Sequence, residues 1–261
     1  MNRKAGCAVV PAAGRGTRLG LSIPKLLAPV SEDATIWSIL RDKLFAAADR
    51  IHLVVAPQWA LTFESLLASD PRRHHLSVSV QQSPLGMGDA IFGSYDHWAD
   101  ARDVFVVWGD QIHISKSTLQ RALSHHHESS GPRCTIPAVL LDKPYVQYCF
   151  DERDHLTAIR ETREGALCDP RGFSDVGTFL LEVGGLRSAW DAYRQERKAG
   201  AVTGEINFLP FLPYLAEHGW QVSRIAVNDP LEARGINNLE DLKFFQKLYN
   251  SQQKAQPSLA D

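Results

Sequence analysis

Cysteine is scarce: four residues in 261, at positions 7, 134, 149 and 168, far apart and with no Cys-x-x-Cys pair. This excludes a paired redox or metal motif and implies buried free thiols. Net charge is nearly absent as well, 28 Lys and Arg standing against 30 Asp and Glu for a formal −2. No global field would recruit nucleic acid or an anionic membrane, so any phosphate binding must come from a local cluster. Neither an apolar run of about 18 residues nor a charged-then-apolar leader is found, which argues against a membrane span or secretion and leaves the cytoplasm as the expected location. No internal repeat occurs. The familiar nucleotide signatures are missing too. A Walker loop is absent, and a Gly-x-Gly-x-x-Gly fingerprint fails because Gly20 falls one residue late. The second strand-like run, residues 51–57, ends without the acid that holds a ribose hydroxyl in a nicotinamide-binding fold.

What is present is an apolar strand at residues 6–11 running straight into Ala12-Ala-Gly-Arg-Gly-Thr-Arg18, with Pro24-Lys25 close behind. Gly14 and Gly16 let the backbone turn tightly, so that successive N–H groups can face an anion. Arg15, Arg18 and Lys25 add positive charge, and the region is the size of a triphosphate. Strand-like runs follow at 51–57, 76–81 and 103–108, alternating with helical spacing at 36–48, 59–67 and 87–98. Such alternation predicts a parallel sheet covered by helices, with ligands at the carboxyl ends of the strands. The second half is less regular. Strands are expected across 133–161 and 174–182, a loop over the pocket at 161–174, helices at 189–197, 206–218 and 239–249, a strand at 221–227, and a frayed tail over 251–261. With 44% hydrophobic residues, the length suits one large α/β domain or two small ones.

The segment from Ala12 to Lys25 resembles the signature of the nucleotidyltransferases that activate sugar phosphates. Further matches follow in the family's order: Gln81-Gln-Ser-Pro-Leu-Gly-Met-Gly-Asp-Ala90 resembles the base-reading loop, Val107-Trp-Gly-Asp110 the metal strand, and Glu232-Ala-Arg-Gly-Ile-Asn-Asn238 the second metal loop. Within this family the likeness is nearest to the uridylyltransferase (pyrophosphorylase) domains of bacterial N-acetylglucosamine-1-phosphate uridylyltransferases. It runs from about residue 7 to 249. The implied fold is Rossmann-like (GT-A-like), a mostly parallel mixed sheet flanked by helices. It would form a single domain over 1–250, with a nucleotide half to about 130, an acceptor half from about 131, and a flexible tail. The bifunctional members continue into hexapeptide repeats carrying an acetyltransferase, and the present sequence stops before them, so only the first activity is expected.

The implied reaction is attack of an acceptor phosphate on the α-phosphorus of a nucleoside triphosphate, with pyrophosphate leaving. Two anions must meet, and Mg2+ together with fixed cations relieves their repulsion. Arg18 and Lys25 are the expected catalytic cations, while Ala12, Ala13, Gly14, Gly16 and Thr17 cradle the phosphates and Arg15 flanks them. Asp110, at a strand end after apolar 104–107, suits a magnesium ligand, although a helix cap ahead of Ser115 is the plain alternative. Asn237 supplies a second ligand by resemblance, with Asn238 the better-placed helix cap. Gln81 carries the donor and acceptor needed to read a pyrimidine edge, Gly86 and Gly88 let the base approach, and uracil or thymine is favoured; Gln82 is the alternative, since adjacent strand residues face opposite ways.

For the acceptor the resemblance picks Val146, Glu161 and Asp175. Glu161 agrees with the family, whereas Val146 stands for a glycine and Asp175 for an asparagine, so the acceptor is expected to differ from N-acetylglucosamine 1-phosphate. The run His125-His126-His127 is read as a solvated helix face, Met87 and Trp98 as core or cleft wall, and Arg234 as a phosphate contact or a partner of Glu232. The expected partners are a nucleoside triphosphate and a phosphorylated small molecule, with no nucleic acid and no membrane; a homo-oligomer is left open. Rival readings are a cytidylyltransferase of the same fold acting on a non-sugar phosphate or phosphonate, a catalytically silent nucleotide sensor, and a nucleotide-sugar glycosyltransferase. The last usually needs Asp-x-Asp, where this strand ends Gly-Asp-Gln.

Overall fold

Strand β1 (Ala5–Ala12) sends Cys7 and Val9 into one hydrophobic core and Ala8 and Val10 into another, all four fully buried. Burial on both faces marks a parallel strand sandwiched between helices. The computed structural model describes residues 5–14, 19–128, 130–196 and 199–255, with side chains through Ser251. β1 pairs in parallel with β2 (Ala48–Val55) on one side and with β4 (Asp103–Val107) on the other, and β2 pairs in parallel with β3 (Leu76–Val80). The order β3-β2-β1-β4 reverses direction between β1 and β4. At such a reversal a crevice opens at the carboxyl ends of the strands.

Beyond β4 the sheet is mixed. β9 (Thr178–Glu182) runs antiparallel to β4 and to β5 (Arg133–Asp142), and β5 also pairs antiparallel with β8 (Arg171–Asp175) and parallel with β10 (Gln221–Val227). β6 (Val146–Phe150) joins β8 to β7 (Leu156–Glu161). Helices α1 (Ile36–Leu44), α2 (Ala60–Ala68), α4 (Lys116–Glu128) and α7 (Leu239–Ala255) pack on one face, and α3 (Met87–Gly93), α5 (Leu186–Glu196) and α6 (Phe211–Glu217) on the other. The result is the α/β fold expected. No helix among the described residues is long and apolar enough to cross a membrane.

Several element boundaries differ from expectation, each for a tertiary reason. α1 starts with a capping box between Thr35 and Ser38 but ends at Leu44 rather than 48, because Ala5 N donates to Ala47 O and draws Ala48 into β2. The helix expected over 87–98 ends at Gly93, where Ser94 Oγ turns back on Ile91 O and a short 3-10 turn follows. The loop expected at 161–174 is shorter, since β8 already pairs Arg171 with Asp142 and Gln147 grips Asp169 through both amide atoms at 2.7 Å. α6 starts at Phe211 rather than 206, because 206–207 is held to other parts of the molecule. The tail does not fray at 251; α7 continues through Ala255, and residues 256–261 lie outside the described residues.

The histidine run is not a solvated face. His126 is 1% exposed, with Nδ1 3.0 Å from Thr135 Oγ1 and Nε2 3.3 Å from Asp103 Oδ1, while His127 Nε2 lies 2.9 Å from Asp103 Oδ2. This side of α4 packs on the sheet, so the imidazoles serve as polar partners for a buried aspartate. Of the four cysteines, Cys7 and Cys134 are buried and Cys149 and Cys168 only half-buried, all as free thiols. Burial pushes the Cys7 thiol up to about 11 and that of Cys134 higher still.

Candidate active site

The crevice between β1 and β4 collects the expected chemistry. β1 runs into Ala13, which is buried, and Gly14, which is exposed. Arg15, Gly16, Thr17 and Arg18 lie outside the described residues. The chain returns in a 3-10 turn at Lys25–Leu27, whose Leu26 is anchored in the core. That anchor aims Lys25 across the crevice, where Nζ donates to Asp110 Oδ2 at 2.7 Å. The side chains of both are only partly exposed, 27% and 19%, so the pair is held at the crevice surface rather than waving in solvent.

Asp110 is not a helix cap. Ser115 fills that role: its Oγ accepts from Thr118 N, and its own N donates to Glu232 Oε2. Asp110 is instead clasped by the loop after β10. Ile236 N donates to Asp110 O at 3.1 Å, and Gly235 lies so close that a Cβ there would sit 3.2 Å from Asp110 Cγ. Asn238 Oδ1 accepts from Asp241 N and caps α7. Asn237 is thereby not needed as the cap; it is exposed, with Nδ2 donating to Gly235 O at 3.3 Å. Arg234 pairs with Asp241 rather than Glu232 and lies over the Phe244 ring, while Asp241 also accepts from Asn237 N. Asp241 therefore braces the loop, a role with no sequence signal beyond its place in a first helical turn.

The donor set offered here is hard oxygen, from the Asp110 carboxylate and the Asn237 amide. Among the described residues no group of three or more His, Cys, Asp or Glu could hold a metal. Two oxygen donors of this kind suit magnesium, which keeps waters and completes its shell with substrate phosphates.

At the end of β3, Gln81 faces the loop that opens α3. Its Nε2 donates to Gly86 O at 3.0 Å and to Asp89 Oδ2 at 2.7 Å, leaving the carbonyl Oε1 as the group it can present to a base. Gly86 has φ +124°, and a Cβ on it would lie 2.7 Å from Ile206 N and O, so only glycine fits. Asp89 lies within the segment that resembles the base-reading loop, but nothing in the sequence gives it the role of holding Gln81.

The residues expected to bind the acceptor lie on β6, β7 and β8. Val146 and Glu161 are paired across β6 and β7, and Glu161, 5% exposed, accepts from Arg163 Nε at 2.9 Å. Asp175, at the end of β8, accepts from Gly177 N at 2.6 Å, while Gly177 O accepts from Trp108 N beside Asp110. Burial raises the Asp175 carboxyl above its usual range and the nearby Asp110 charge adds to this, with the Gly177 N–H and Tyr148 opposing. Tyr148 is itself pushed well up, by burial first and then by Asp175. The residues expected to bind nucleotide and acceptor are thus linked through the Trp108–Gly177 contact between β4 and the end of β8. Arg163, paired with Glu161, and Tyr148, buried near Asp175, carried no motif that could have flagged them.

A model of the MobA-like NTP transferase domain matches residues 8–174. Curated relatives include the bifunctional protein GlmU of Pseudomonas putida (strain GB-1) and that of Pseudomonas fluorescens (strain Pf0-1), each 27% identical over 92% of this chain. The chain spans about half, 51%, of the length of each. Among solved structures, HddC from Yersinia pseudotuberculosis superposes with a TM-score of 0.66 over 94% of this chain and 99% of its own, at 19% identity, a likeness of fold.

Proposed function

We propose that this chain, which belongs to the family of MobA-like NTP transferase domains, transfers a uridylyl or thymidylyl group from UTP or dTTP to a sugar 1-phosphate, with release of pyrophosphate. The observation that carries the reading is the Lys25–Asp110 pair at the β1/β4 crevice, with the Gly235–Asn237 loop laid over it. Asp110 and Asn237 would hold magnesium, which when bound neutralises phosphate charge and orients the α-phosphate for in-line attack. Lys25, beside the carboxylate, offers a fixed cation to charge building in the transition state. Backbone N–H groups after β1 would take the β- and γ-phosphates, with Arg18 a second cation by resemblance. Glu161 and Asp175 would receive sugar hydroxyls.

A second reading has one observation in its favour. Gln81 is left with an acceptor only, and an acceptor suits the amino group of cytosine as well as the N3–H of uracil. Cytidylyl transfer to a non-sugar phosphate or phosphonate is therefore the rival. Both are tested by pyrophosphate release over the four nucleoside triphosphates, dTTP, and a panel of phosphorylated acceptors with magnesium. The expected result is turnover with UTP or dTTP and a hexose 1-phosphate, at lower efficiency with N-acetylglucosamine 1-phosphate than with the glucose or glucosamine compound. Strict use of CTP with non-sugar acceptors would establish the rival instead.

A further inference from the structure

Residues 199–210 contain no helix or strand, and Val202 is 68% exposed, yet both ends of the crevice are tied to this segment. On the nucleotide side Ile206 N donates to Leu85 O at 2.7 Å and Gly88 N donates to Ile206 O at 2.8 Å, so the loop that Gln81 braces is closed by Ile206. On the acceptor side the next residue, Asn207, is 4% exposed and accepts from Arg163 Nη2 at 2.7 Å. The same guanidinium donates through Nε to Glu161 and lies 3.6 Å from Glu205. Asn207 Nδ2 also reaches Glu164 Oε1 at 3.3 Å, and Glu164 accepts from Val202 N and Thr203 Oγ1. Phe208 and Leu209 anchor the end of this segment in the core, whereas the stretch from Val202 to Glu205 ahead of them is held by such polar ties.

We propose that Arg163 is a positioning residue that couples the base loop to the acceptor strand through the 205–207 segment. This rests on the functional reading above, which makes the two ends substrate sites. The guanidinium fork serves Glu161 and Asn207 at once, and a lysine ammonium has no matching planar geometry. Binding that settles one end lowers the ordering needed at the other, and the coupling must be reciprocal.

The test uses the full chain and three variants, Arg163→Met, Arg163→Lys and Asn207→Ala. Asn207→Ala leaves the Glu161–Arg163 pair intact and serves as the decisive variant if Arg163→Met fails to fold. Hydrogen exchange without ligand should speed up at the Gly88 and Ile206 amides in Asn207→Ala and Arg163→Met, and less in Arg163→Lys. Binding of α,β-methylene-UTP with magnesium, measured with and without glucose 1-phosphate, should show mutual enhancement in the unmodified protein, of about 5- to 150-fold. Asn207→Ala should lose it while keeping its affinity for glucose 1-phosphate alone. Unchanged exchange at both amides in folded Asn207→Ala, or mutual enhancement kept there, overturns the proposal. If the unmodified protein binds no α,β-methylene-UTP, the functional reading fails instead, and the exchange result still decides whether Arg163 holds the loop.

Discussion

Lys25 and Asp110 face each other at the crevice as an ion pair. Removing a preorganised charge-stabilising contact typically costs about 100- to 1000-fold in rate. Asp110→Ala is accordingly expected to lose turnover on that scale, measured as pyrophosphate release at limiting magnesium, and Asn237→Ala less. Near-normal rates in both variants would remove them from the metal site. Lys25→Ala should lower kcat more than it weakens triphosphate binding, because the charge it meets grows as the phosphates react. Elsewhere Asp103 is a residue whose importance is to stability. Burial alone would raise its carboxyl, but His126 and His127 outweigh that and hold it at about 2, below the ordinary 3.8. A depressed carboxyl stabilises the fold above pH 3.8, and the contribution is lost as pH falls through about 2. From the shift it is about 2 kcal/mol. His126, lowered mainly by burial, acts in the same direction, since it must gain a proton on unfolding below pH 6.5. Urea midpoints measured from pH 7 to pH 2.5 should fall on acidification, and Asp103→Asn should flatten the limb below pH 4 while lowering stability at pH 7.

At the level of elements, two short loops carry more consequence than any helix. Gly86→Ala forces a Cβ against the Ile206 backbone at a φ of +124°. Strain of this kind costs of order 1–3 kcal/mol, and the variant should show a raised KM for the nucleotide, with a smaller rise in the acceptor KM passed on through the Ile206–Asn207 segment. The loop between β10 and α7 ends in a cap: Asn238→Ala should cost about 1 kcal/mol by thermal unfolding. It should also weaken magnesium activation, because Asp241 holds both that cap and the Arg234–Asn237 loop. A loss of stability with unaltered magnesium dependence would separate the cap from the site.

Across the whole molecule, the hydrogen-bonded sheet runs from β3 to β7, with helices on both faces. Residues up to about 130 and those beyond are joined through β4, β9 and β5 as consecutive neighbours, so neither stretch has a core closed off from the other. One cooperative thermal transition, coincident by far-UV dichroism and tryptophan fluorescence, is therefore expected. Phe211→Ala, in the core under α6, should lower that single transition by about 3–5 kcal/mol rather than split it. Two resolved transitions would show that the halves are separate domains.

Much of this was legible in the residues. The alternation of apolar runs announced β1 to β4 and the helices between them, because two-sided burial leaves an unbroken Val, Ile and Leu pattern that needs no knowledge of neighbours. Asp110's place at a strand end followed from the apolar run ahead of it, whereas Gly86 and Asn237 stood out through their likeness to short family motifs. Such signals are local, so a sequence can carry them. What only the tertiary structure decided were the contacts between segments far apart in the chain. Lys25 meets Asp110 across 85 residues, Arg163 meets Asn207 across 44, and α1 stops short because Ala5 claims the chain at Ala47. The inward turn of His126 belongs here as well, since a polar run reads as a solvated face until the buried carboxylate opposite it is known. A hydrogen bond of this sort depends on how two elements pack, and neither partner's flanking residues encode the other.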